Sequence, residues 1–104
     1  MPEVYKPNPI PTATVNLDKD LLDLIEILAQ HAHDVWAAQR ISEGWSYDRK
    51  RNERSKVTPL LVPYHDLPES DKEVDRNMVI ETLRAVMALG YEITRSVRQR
   101  PDSG

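Results

Sequence analysis

The sequence predicts a mainly α-helical fold, in which two long helices packed antiparallel are closed by an extended N-terminal arm, a polar loop and short extended segments. Three observations carry this expectation. Apolar residues recur at helical spacing in two separate stretches. The residues between those stretches are polar and aperiodic, and prolines crowd the first 16 positions. At 104 residues the chain fits one domain, and a domain of that size buries a core only if most of its apolar side chains converge. Residues 1–16 are therefore read as an arm, 17–94 as the domain and 95–104 as a polar tail.

The arm contains Pro2, Pro7, Pro9 and Pro11. Proline lacks the backbone donor that a helix or a central strand requires, so the arm is expected to be extended, with Val4, Tyr5, Ile10 and Val15 lying across the domain. From about Asp18 the period changes. Leu21, Leu24, Ile25, Leu28, Ala32, Val35 and Trp36 fall on one helical stripe, which predicts a helix of six or so turns. Asp18 or Asp20 can cap its start, and Gly44 can supply its left-handed stop.

Residues 46–56 show no apolar period and read as a surface loop. Leu60, Leu61 and Val62 stand between Pro59 and Pro63, enough for a short extended segment but not for a central strand. Ser70 and Glu73 have the spacing of a capping box at the start of a second helix, and Leu67-Pro68-Glu69 can add a turn before it. Val74, Met78, Ile80, Leu83, Val86, Met87 and Leu89 supply its apolar residues, and Gly90 its stop. Tyr91 and Ile93 are expected to form a last packed segment.

Composition narrows the function. The formal net charge is -3, which gives no overall electrostatic reason to bind nucleic acid. There is no cysteine, so thiolate nucleophiles, disulfides and cysteine-based zinc sites are excluded. No stretch approaches the roughly 18–20 apolar residues of a membrane span, and the first residues lack the pattern of a secretory signal. A cytoplasmic address and no membrane insertion are expected. A Gly-rich phosphate loop and a nucleophile elbow are both missing, which argues against an enzyme and leaves no catalytic residue to name. His31 and His33 stand two apart on a helix and diverge by about 200°. No metal site and no cofactor are expected.

Four residues read as structural. Trp36, on the apolar stripe, is expected to anchor the two helices. Arg40 lies one turn further and is expected to pair with Glu81 from the second helix, while His33 should hydrogen-bond near the face of Trp36 and Arg40. Trp45 has two readings. It can pack under the loop, or it can form an aromatic plate which, with Tyr47 and the cations Arg49, Arg51 and Arg54, takes a flat base attached to phosphate.

The longest distinctive run is His33-Asp-Val-Trp36-Ala-Ala-Gln-Arg40-Ile41-Ser-Glu-Gly44-Trp45-Ser-Tyr47. With Leu61-Val62-Pro63-Tyr64, Leu67-Pro68-Glu69, Glu81-Thr82-Leu83-Arg84 and Ala88-Leu89-Gly90, it resembles the RyR domain, a helical module that recurs in ryanodine receptors. The resemblance extends from about Tyr5 to Ile93. The chain departs from the family pattern at Asp48, at Thr58-Pro59 and at Val74-Asp75. The resemblance implies the RyR-domain fold, a paired arrangement that suggests a homodimer, and a nucleotide-derived small molecule as ligand. The expected function is a non-enzymatic ligand-sensing or interaction module. The alternative is a purely structural assembly domain without a ligand.

Overall fold

A computed structural model describes residues 4–96; the arm's Pro2 and the tail beyond Ser96 lie outside them. The order of elements is α1 (Lys19–Leu22), α2 (Ile25–Ser42), β1 (Ser46–Tyr47), β2 (Val57–Thr58), a 3-10 turn (Tyr64–Asp66) and α3 (Glu69–Ala88). The fold is mainly helical, and α2 and α3 pack against each other. Glu26, early in α2, meets Arg76, whereas Trp36 and Arg40, later in α2, share a cleft with Asp71. That order of contacts fits the antiparallel sense.

The first helix is not continuous. Asp18 accepts a hydrogen bond from the Leu21 amide at 3.0 Å and caps α1. The Leu24 amide then bonds Leu21 instead of Asp20, and this tighter turn separates α1 from α2. At the far end Gly44 has φ of +94°, the left-handed stop that the sequence predicts. The capping box of the second helix does not form. Pro68 stands at the cap position, which puts Ser70 inside the first turn, and the Glu73 carboxylate turns to Arg76 at 2.9 Å instead.

The loop is more ordered than its composition implies. β1 and β2 pair in parallel, Ser46 with Val57 and Tyr47 with Thr58. Asn52 organises the turn between them: its side-chain oxygen accepts from the amides of Arg54 (3.0 Å) and Ser55 (3.2 Å), a local bond that asparagine makes readily in turns. The Lys56 ammonium donates to the Glu43 carbonyl at 2.9 Å and ties the loop to the end of α2.

The core is small. Ala29 of α2, Tyr64 and Leu67 are buried together, with Leu60 and Val62 packed on them. Along α3, Ile80, Leu83 and Met87 are half-buried, while Val74, Met78 and the C-cap residue Leu89 are exposed. An advance of about 100° per residue places these two sets on opposite sides of the helix. The apolar residues of α3 thus divide between two faces, and only one face meets the core.

Of the arm residues expected to lie across the domain, Val15 is half-buried against it, whereas Val4, Tyr5 and Ile10 are exposed. Val4 and Tyr5 are 82% exposed. The Thr12 hydroxyl instead donates to Glu81, and the Arg84 guanidinium donates to the Val15 carbonyl at 2.9 Å. Glu81 also accepts from Arg84 at 3.0 Å. The expected Arg40–Glu81 pair does not form, because Glu81 lies under the arm and Arg40 bonds Glu43, three residues on, at 2.8 Å. Of the last packed segment, Ile93 is half-buried but Tyr91 is exposed.

Arg76 joins the two long helices. It donates to Glu26 of α2 at 2.7 and 3.0 Å, and to Glu69 and Glu73 of α3 at 2.6 and 2.9 Å. The hydrogen bond from Arg76 holds the Glu26 and Glu69 carboxyls below the ordinary 4.5. A carboxyl depressed by folding stabilises the fold above its unfolded pKa, and that stabilisation is lost as pH falls through the folded pKa. Stability is therefore expected to fall as pH drops below about 4.5. Arg76→Met is expected to be less stable than the parent at pH 7 and to show a shallower decline under acid. Urea melts from pH 7 to pH 3 check this; parallel stability curves for parent and variant would refute it.

Candidate functional site

A cleft of about 310 Å³ lies between α2 and α3. His33, Trp36 and Arg40 form its α2 wall, since residues at these spacings share one face of a helix. Asp71, Val74 and Asp75 form the α3 wall, Leu60 and Leu67 add apolar surface, and Arg51 reaches in from the loop. The cleft thus carries Arg40 and Arg51 on one side and Asp71 and Asp75 on the other, with the Trp36 indole on the α2 wall. A larger open groove of about 530 Å³ runs between α1 and residues 93–96, lined by Asp18, Asp20 and Asp23 over Leu21, Leu24 and Ile93. It contains no aromatic ring.

A series of rings and cations passes through the α2 wall of the cleft. The Arg51 guanidinium carbon stands 5.1 Å from the Trp45 ring centre, and that of Arg40 stands 5.7 Å from Trp45 and 5.9 Å from Trp36. Trp36 stacks on His33 at 5.5 Å, and His33 tilts against Tyr64 at 6.3 Å. Lys72 of α3 closes the series, 5.8 Å from the Tyr64 ring. A cation over an aromatic face contributes about 0.5–1 kcal/mol at exposed sites and more where water is excluded.

Four members of the series, His33, Tyr64, Arg40 and Arg51, are held by polar contacts as well. One ring nitrogen of His33 lies 2.7 Å from the Val62 carbonyl oxygen, which orients the buried imidazole. The Tyr64 hydroxyl donates to Glu26 at 3.2 Å. Burial pushes the Tyr64 hydroxyl up from its usual pKa, and the bond to Glu26 adds to this. The hydrogen bond from Gln39, and after it that from Arg40, hold the Glu43 carboxyl below the ordinary range. Arg51 pairs with Glu53 at 3.1 Å.

The residues singled out from sequence divide into two sets. Trp45 and Arg51 meet, and Arg40, Trp36 and His33 join them in the stack. Trp36 is half-buried, stacks on the buried His33 and lines the cleft. Tyr47 is exposed on β1, and Arg49 and Arg54 are exposed on the loop; none of the three lines the cleft. Asp71 and Asp75 escaped the sequence reading. Their signal was the spacing of four on the second helix, but exposed helical carboxylates share that spacing. Among the described residues no group of three or more His, Asp or Glu side chains is arranged to hold a metal ion. No helix among them is long and apolar enough to cross a membrane.

Comparison with protein families finds a match to the RyR domain over residues 5–95, most of the chain.

Proposed function

We propose that this chain, which belongs to the RyR domain family, serves as a non-enzymatic binding module whose α2–α3 cleft takes a nucleotide-derived anion. The observation that carries this reading is the series Arg51, Trp45, Arg40 and Trp36, in which Arg40, Arg51 and Trp36 line the cleft and the Trp45 ring stands beside both guanidinia. A planar guanidinium both lies against a ring and presents donors to phosphate oxygens. An indole offers its face to any base. Arg51 sits on the loop, and its ion pair to Glu53 is exposed. A phosphate can replace Glu53 as its acceptor, and a base can slide against the indole that the guanidinium now covers.

The chain has two tryptophans, Trp36 and Trp45, so its fluorescence reports on the cleft. Titration with AMP is expected to change that emission saturably at micromolar to millimolar concentration, and Arg51→Ala is expected to weaken binding about tenfold, the loss of one charge-assisted contact. Emission that stays constant to millimolar AMP in the parent protein would refute the assignment.

A second reading, assembly through a homodimer, draws support from the exposed apolar side formed by Val74 and Met78 of α3 and Leu89 at its C-cap. Apolar residues grouped on one exposed helix face favour pairing. The two readings are compatible, because Val74 also borders the cleft.

A further inference from the structure

The α3 wall of the cleft carries chemistry that an anion does not use. Asp71 and Asp75 stand one turn apart and are half-buried. The other acids of α3 that approach neighbouring elements are engaged: Glu69 and Glu73 by Arg76, Glu81 by Thr12 and Arg84. Asp71 and Asp75 form no side-chain hydrogen bond or ion pair among the described residues. The guanidinia do not close on them either, because Arg40 is held by Glu43 and two indoles and Arg51 by Glu53 and Trp45. Burial pushes the Asp75 carboxyl up; the charge of His33 opposes this, and that of Asp71 adds to it.

Two carboxyls in a cleft meant only for an anion weaken it, since like charges repel strongly where water is scarce. Their placement has a use if the ligand is not anionic throughout. A carboxylate accepts hydrogen bonds in pairs, and adjacent hydroxyls or an amino group supply them. The cleft volume, about 310 Å³, lies at the small end for ligand pockets.

We propose that the cleft reads two unlike ends of one small ligand: Arg40 and Arg51 take its phosphate, and Asp71 and Asp75 accept from a pair of neutral donors. This rests on the nucleotide reading above and narrows it to a mononucleotide that carries such donors, either the ribose hydroxyls or the exocyclic amine of the base. Asp75 thereby sets specificity. A ligand with phosphates at both ends is turned away by the acidic wall.

Calorimetric titration of the full chain with AMP, 2′-deoxy-AMP, IMP and inorganic phosphate tests this. AMP is expected to bind best. Weaker binding of 2′-deoxy-AMP assigns the donors to the ribose, and weaker binding of IMP assigns them to the amine. The loss expected is about ten- to hundredfold, that of one bond to a charged acceptor. Asp75→Asn is expected to weaken AMP and to erase the discrimination, with circular dichroism confirming that it folds. Equal binding of all three nucleotides, phosphate binding as tight as AMP, or an Asp75→Asn protein that still discriminates would each overturn the proposal and leave the nucleotide reading in place. Absence of binding by every nucleotide would overturn both.

Discussion

Tyr64→Ala is expected to lower stability by about 3–5 kcal/mol, the range for removing a large buried aromatic side chain. Tyr64 is 4% exposed, and it belongs to the small cluster of Ala29 and Leu67 that Leu60 and Val62 cover. A domain of this length has roughly 5–15 kcal/mol in all, so one truncation removes a large share of it. The melting temperature should fall by more than about 10 °C. Tyr64→Phe separates packing from polarity. It keeps the ring and loses only the bond to Glu26, an exposed carboxylate that water can satisfy, so its cost is expected near 0.5–1.5 kcal/mol. Thermal and urea melts of both variants check this. A Tyr64→Ala protein within about 1 kcal/mol of the parent would mean that the helices are held elsewhere.

Why so much rests on one tyrosine follows from how the apolar residues are spread. The helical period of the two long stretches is legible in the sequence because it depends on local spacing alone. Which residues of each stretch are enclosed is not. On α2 the enclosed set is Ile25, Ala29 and His33, while Val35, Ile27 and Ile41 face outward. A count of apolar residues overstates the core, since nothing local distinguishes Val35 from Leu28. The break at Asp23–Leu24 was equally hidden, because it is a difference of one hydrogen-bond register inside a run with good helical spacing.

The candidate site shows the same division. Trp36, Arg40 and Trp45 could be picked out by residue type and by position around the end of the first helix. Their mutual stacking depends on the chain reversing at Gly44 and on the Lys56–Glu43 bond that folds the loop back. The sequence suggested Glu81 as the partner of Arg40 because both were charged and lay on facing helices. The arm decides otherwise, since Thr12 and Val15 bring their bonding groups to Glu81 and Arg84. Tyr47, Arg49 and Arg54 are near Trp45 along the chain. The turn around Asn52 instead carries Arg51 inward and leaves the other three at the surface. The acidic wall at Asp71 and Asp75 needs the packing of α2 on α3 before it becomes a wall at all.

Arg40 joins the fold to the proposed site, and its replacement is expected to affect both. Its guanidinium lies between the two indoles, at 5.9 Å from Trp36 and 5.7 Å from Trp45, and bonds Glu43 at 2.8 Å. Two cation–ring contacts of about 0.5–1 kcal/mol each give an expected stability loss of about 1–2 kcal/mol for Arg40→Gln. Binding should suffer more. Without the guanidinium the rings lose their common spacer and a phosphate loses one of its two cations, so AMP affinity is expected to fall at least tenfold. Arg40→Lys restores the charge but not the plane: an ammonium neither fills the space between two indoles nor presents a fork of donors. It should therefore recover only a small part of the binding. Fluorescence titration with AMP, alongside melts of both variants, separates these effects. Full recovery of affinity by Arg40→Lys would show that the charge alone matters and that the stacked arrangement of Trp36, Arg40 and Trp45 is not what the ligand recognises.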